Sequence, residues 1–147
     1  MTTLNNMVRR YTDLGPVDVE WLQTLVGDWQ LLSDLSFADL VLWVTERDSS
    51  GWIAVAHVRP STSATVYHDD IVGARLPRGR RPQLDRAHDL ARICRERDPE
   101  WRDDVPVREE TIPVVRDGTV IAVISRHTNL AAARTPSRLE PTYRQCA

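Results

Sequence analysis

The sequence predicts an α+β domain built on one antiparallel sheet of five to six strands flanked by helices. Three observations point there: an amphipathic helical stripe near the N-terminus, two pairs of apolar strand segments each joined by a short polar turn, and a second helical stretch between the pairs. The length fits one domain, since a chain of 147 residues buries roughly two-thirds of its unfolded surface in a single core.

The first helix is expected over residues 16–33. Gly15-Pro16 is a helix start, because proline at the first helical position has its φ preset and lacks an N–H that would go unsatisfied there anyway. Leu22, Leu25, Val26, Trp29 and Leu32 then recur at three- and four-residue spacing. Gly27 is a soft spot, costing about 1 kcal/mol relative to alanine. Residues 37–44 are nearly continuous in apolar side chains, as in a central strand covered on both faces. After the turn at 46–51, residues 52–59 form the hairpin partner, with Ile53, Val55, His57 and Arg59 on one side and Trp52, Ala54, Ala56 and Val58 on the other.

Pro60 ends that strand, and Thr65 to His68 have the content of a short further strand. Residues 75–82 are too rich in proline and glycine for regular structure. Residues 83–97 return to helical spacing, with Leu84, Ala87, Leu90, Ala91 and Cys94 on one side and acidic residues ahead of basic ones, the order the helix dipole prefers. Residues 107–115 and 119–127 form the second hairpin through Asp117-Gly118, a pair that favours a primed turn. A last helix begins in residues 136–147 and stops without a C-cap glycine, so the chain reads as a piece of a longer polypeptide.

Composition removes several classes of function. With 41% hydrophobic and 27% charged residues, the chain matches ordinary globular domains, and its net charge of −2 offers no field for duplex DNA or RNA. All nineteen basic residues are arginine, which excludes a lysine Schiff base and a P-loop. Two cysteines, Cys94 and Cys146, supply no disulfide framework and no sulfur-held zinc, so a reducing cytoplasm is the simplest compartment. No window has the roughly 18 apolar residues of a membrane span.

Catalytic patterns are absent from the sequence. His57, His68, His88 and His127 stand in no metal-ligand spacing, and His68-Asp69-Asp70 cannot chelate from one strand because neighbouring residues point to opposite faces. The serines lie in no nucleophile elbow, Cys94 reads as a thiol on an apolar stripe, and the paired acids 103–104 and 109–110 read as solvated faces. No nucleophile has a visible base, so an enzyme is the weakest reading. The sharpest charge feature is the arginine run Arg75, Arg78, Arg80 and Arg81, whose guanidinium forks suit phosphate oxygens if they border a cavity and otherwise make a solvated loop. Trp43, Tyr67, His57 and Arg59 give the sheet a mixed aromatic and polar face of the kind a ligand cavity uses.

The run from Gly27 through Leu40 with Trp43-Val44 resembles the N-terminal sensory domain of actinobacterial soluble sensor histidine kinases, a GAF-like domain. Further matches are Val55 to Pro60, Thr65 to Gly73, Ala122 to His127 and Leu139 to Arg144, in the same order and over nearly the whole chain, with 76–107 the least matched stretch. The resemblance implies a profilin-like GAF/PAS-type fold with N- and C-terminal helices packed together. It also implies a sensory module followed in cis by a PAS domain and a kinase, with a response regulator reached only through the full-length kinase. No phosphotransfer is expected from this piece itself, and no cofactor or metal.

Two functional readings follow. In the first, a small-molecule ligand sits between the sheet and residues 83–97, touched by His57, Arg59, Tyr67 and His68 with Arg78, Arg80 and Arg81, and shifts the exit helix from Leu139. In the second, the domain is a structural homodimerisation module whose sheet face is filled by Trp43 and Trp52. In either, Leu22, Leu25, Trp29 and Leu32 bury on the sheet and against a partner copy.

Overall fold

The structure is a computed structural model, and it describes residues 2–36, 38–47, 50–60, 71–95, 100–102 and 105–130. The element order is α1 (Thr2–Tyr11), α2 (Pro16–Gly27), α3 (Trp29–Ser36), β1 (Ala38–Thr45), β2 (Gly51–Val58), β3 (Arg75–Pro77), α4 (Pro82–Leu90), β4 (Cys94–Arg95), β5 (Glu100–Arg102), β6 (Val105–Arg116) and β7 (Thr119–Asn129). One antiparallel sheet runs β3-β2-β1-β7-β6-β4, and β5 also pairs with β6. The expected α+β architecture is therefore present, with both hairpins in place and joined through β1 and β7. The strand expected at 65–68 and the helix from 136 lie outside the described residues, as does any contact between the first and last helices.

α1 was not anticipated from the sequence. Leu4, Met7, Val8 and Tyr11 nonetheless share one helical face, and Leu4 and Val8 are buried in the core. The expected single helix over 16–33 is two. α2 starts at Gly15-Pro16 as read, but the chain leaves the helix at Asp28 (φ −100, ψ 5) and restarts as α3. Glycine and aspartate are both poor helix formers, so the Gly27-Asp28 pair is where continuation is weakest.

The helix expected over 83–97 ends at Leu90, because Ala91 adopts a left-handed conformation (φ 51). Cys94 and Arg95 then pair with Thr111 and Glu110 as β4. Open backbone groups along the edge of β6 win over helical spacing here, leaving Leu90 exposed and Cys94 half-buried on a strand. The stretch 75–82 is not wholly irregular either. Arg75 to Pro77 add an edge strand to β2, a position where proline is tolerated.

The two faces of the sheet carry different cores. Against α1, α2 and α3 lie Leu40, Leu42, Val44, Ile53, Val55, Val114 and Ala122, packed with Leu4, Val8, Leu22 and Trp29. Against α4 lie Val41, Trp43, Trp52, Ala54 and Val123, packed with Leu84 and Ala87. The β1–β2 register steps from Leu42↔Ala56 to Trp43↔Ala54, so Val55 is the extra residue of a β-bulge. The bulge reverses the expected side-chain alternation: His57 leaves the side of Val55 and joins that of Trp52 and Ala54, while Ala56 and Val58 join Val55 in the helical core.

Two glycines separate backbone propensity from close approach. A Cβ at Gly51 would stand 2.5 Å from the Leu76 carbonyl oxygen of β3, whereas one at Gly27 would meet nothing within 4 Å. In thermal denaturation, Gly51→Ala is expected to lower stability by about 1–3 kcal/mol by forcing β2 and β3 apart. Gly27→Ala is expected to raise it by about 0.4–1 kcal/mol by restricting the unfolded chain.

Candidate functional site

The α4-side face of the sheet is divided in two. Its half nearest α4 is filled by Trp43, Trp52, Leu84 and Ala87. Its other half is polar although it is buried. In-register rows place Thr111, Ser125, Val41 and His57 across β6, β7, β1 and β2, and Glu109, His127 and Asp39 across β6, β7 and β1. Asp39, Ser125, His127 and Thr111 are wholly shut from solvent, and Glu109 nearly so. Strand alternation explains the grouping: Asp39 with Val41, Glu109 with Thr111, and Ser125 with His127 are each two residues apart and so share a face.

Buried polar groups must be matched, and these are. The His57 Nε2 and Asp39 Oδ2 atoms are 2.9 Å apart, with both side chains only 1% exposed. Toward an ionised carboxylate, which only accepts, the imidazole is the donor through Nε2. The Trp43 indole N–H donates to Ser125 Oγ at 2.8 Å, and the same oxygen lies 2.8 Å from His127 Nε2. Arg81 reaches from the start of α4 to pair with Glu109, and its guanidinium stacks 5.7 Å over the Trp43 ring. Thr111 Oγ1 lies 3.3 Å from the carbonyl oxygens of Gln83 and Cys94.

Where β2 ends, a cavity of about 250 Å³ is lined by Gln30, His57, Val58 and Arg59. Gln30 Nε2 donates to the Arg59 carbonyl at 2.9 Å and to Asp34 Oδ1 at 3.1 Å, tying α3 to the end of β2. A second cavity, of about 560 Å³, separates α1 from α2 and is lined by Asn5, Arg9, Val19 and Glu20 among others. Among the described residues, no three His, Cys, Asp or Glu side chains gather as a metal site, and no helix is long and apolar enough to cross a membrane.

The space expected for a ligand between the sheet and residues 83–97 is filled at α4 by Trp43, Trp52, Leu84 and Ala87, and the expected ligand residues are distributed unequally. His57 and Arg59 border the smaller cavity, and Arg81 lies over the sheet. Arg78 is engaged elsewhere, 3.2 Å from Asp85 and 3.0 Å from Asp89, with its guanidinium 5.6 Å over the Trp52 ring, so it clamps the turn to α4. Arg80 is exposed. Tyr67 and His68 lie outside the described residues. Of the stripe expected to meet a partner copy, Leu22 and Trp29 are consumed by the chain's own core and Leu25 is half-buried against it. The Leu32 side chain lies outside the description. The exposed apolar residues of α2 are instead Val17 and Trp21.

Sequence reasoning gave Asp39, Thr111 and Ser125 no role, noted His127 without one, and read Glu109-Glu110 as a solvated face; both acids are instead buried and matched by arginines, Glu109 by Arg81 and Glu110 by Arg95 and Arg126. The signal for the polar half of the face was polar residues recurring at a spacing of two within otherwise apolar strands.

The Asp39 carboxylate is expected to make His57→Ala costly. Removing the hydrogen-bond partner of a buried carboxylate costs about 1–3 kcal/mol or more, which urea denaturation measures. A second expectation concerns Asp89, whose carboxyl is held below the usual carboxylate range by the His88 hydrogen bond and then by Arg78. A depressed carboxyl contributes stability that is present above the unfolded value of about 3.9 and is lost as pH falls through the folded one. Carbon-detected NMR titration should show Asp89 ionising below about 3.9 and moving back further in His88→Ala than in Arg78→Met.

Comparison with known proteins agrees with this architecture. The family described as "Histidine kinase PdtaS, GAF domain" matches residues 4–147. The sensor histidine kinase PdtaS of Mycolicibacterium smegmatis is 37% identical over 150 residues, and that of Mycobacterium tuberculosis 37% identical over 164 residues. Each alignment covers 100% of this chain and 30% of the relative, so the chain spans under a third of their length. A solved structure described as the sensor region of a sensor histidine kinase superposes with a TM-score of 0.77 at 35% identity, over 99% of this chain and 50% of that one. The chain belongs to the PdtaS histidine kinase GAF-domain family.

Proposed function

We propose that this domain senses a small molecule at the polar half of the α4-side sheet face and biases a histidine kinase carried on the same polypeptide. The observation that carries this reading is the pair of buried rows that hold Asp39, His57, Ser125, His127 and Glu109. A face whose only task is to pack would be filled as its α4 half is, by tryptophan and aliphatic side chains. Kinship with sensor histidine kinases supports the wider setting. In that setting a PAS domain and kinase follow in cis, a response regulator is reached through the kinase, the compartment is the cytoplasm, and this piece transfers no phosphate itself.

Transmission has a physical route. Gln30 hydrogen-bonds the backbone at Arg59, so a ligand beside His57 and Arg59 acts on α3, and through α3 on the helical face of the sheet. For occupancy to bias the kinase, the ligand must bind one arrangement of these helices more tightly than the other. Coupling of about 1–3 kcal/mol gives a 5- to 150-fold change.

Exposed Val17 (56%) and Trp21 (43%), one turn apart on α2, favour a second reading in which this helix meets another copy of the chain. Native mass spectrometry of the purified domain separates the two. The sensing reading expects a small-molecule adduct that is lost on denaturation, with slower hydrogen exchange in α3 and β2 of the adduct form. A bare dimer that Trp21→Ser turns into a monomer would leave the structural reading in possession.

A further inference from the structure

We infer that the cavity between α3 and the end of β2 is a site for a small oxyanion, a carboxylate or phosphate group, with Arg59 as its charge partner. The inference rests on the sensing role proposed above and specifies the chemistry of what is sensed.

Three observations carry it. The first is an unmatched charge: Arg59 Nη2 is shut from solvent and has no hydrogen-bond partner among the described residues. A buried donor left open is rare in folded proteins, and one on a cation is costlier than one on a neutral group. Other arginines around the sheet are matched, Arg75 by Glu46, Arg78 by Asp85 and Asp89, and Arg81 by Glu109. Arg126 also has an open Nε, but its Nη2 meets Glu110.

The second is the commitment of the nearby carboxylates. Asp39 is bound to His57 at 2.9 Å, and Asp34 accepts from Gln30 at 3.1 Å. Neither of these carboxylates supplies the missing acceptor, and a bound anion would. The third is space. Arg59 borders a cavity of about 250 Å³, below the roughly 300–1,000 Å³ of sites for drug-sized molecules. That room suits a compact anion or the anionic end of a larger molecule. A guanidinium fork matches the paired oxygens of both carboxylate and phosphate.

Thermal denaturation of the purified domain at constant ionic strength tests this, with inorganic phosphate, malonate and neutral malonamide as probes. The wild type is expected to gain melting temperature saturably with malonate or phosphate and not with malonamide or sodium chloride. Whichever anion saturates at lower concentration tells a carboxylate site from a phosphate site. Arg59→Met is expected to melt no lower than the wild type without probe, since it removes an open buried donor, and to lose the saturable gain. Arg59→Lys, which keeps the charge and loses the fork, is expected to weaken the apparent affinity about tenfold or more, the equivalent of about 1.4 kcal/mol. A flat response of the wild type to both anions overturns the inference, as does a response that Arg59→Met retains. If native mass spectrometry shows a retained neutral adduct alongside that flat response, the sensing role stands and only the oxyanion is removed.

Discussion

The ladder between β1 and β7, from Ala38↔Thr128 to Trp43↔Val123, is the contact on which the rest of the domain depends. A hairpin alone is marginal in water, and each of the two here becomes stable only by pairing with the other. Once joined, β1 and β7 are bonded along both edges and covered on both faces, which is why residues 40–44 and 120–124 are continuously apolar. The hydrogen bond from Trp43 to Ser125 crosses this same seam. At the margins, the short strands β3 and β4 leave little open edge.

A sheet buried on both sides need not have two equivalent faces. The face toward α1, α2 and α3 is built mainly of aliphatic side chains and Trp29, with the Arg126–Glu110 pair in the row of Leu40. The other is half aliphatic and aromatic, half a row of matched polar groups. The Val55 bulge contributes to this difference, because it carries His57 across to the side of Asp39. Without that extra residue, strict alternation would point His57 into the helical core, where its imidazole would have no carboxylate beside it. Local departures from regular strand geometry that re-aim a polar side chain are characteristic of functional surfaces.

The polar face and the helical face meet at the end of β2, where Gln30 of α3 holds the backbone of Arg59 beside the cavity. The sensing role proposed above needs such a junction between the polar surface and the helices. The carboxylates and arginines near α4 serve a different purpose. Arg78, Asp85, Asp89 and Trp52 interlock to hold the turn before α4 against β2, which fixes the closed half of the face.

Much of this was legible in the residues. The proline-led start of α2, the Asp-Gly turn of the second hairpin and the apolar run of β1 are local signals, set by backbone preferences within a few residues, and the chain obeyed them. The resemblance to histidine kinase sensory domains was also carried by short local runs. Less was legible wherever a distant partner decided. Residues 91–95 left their helical spacing because β6 offered an edge, and the stripe Leu22 and Trp29 turned inward because α2 and α3 bend at Asp28 over a sheet the local pattern does not describe. The register between β1 and β2, and with it the side on which His57 stands, depends on how Trp43, Ala54 and Ala56 fit across the strands. Helical and strand periodicities specify which residues share a face, while only packing between elements specifies what that face meets.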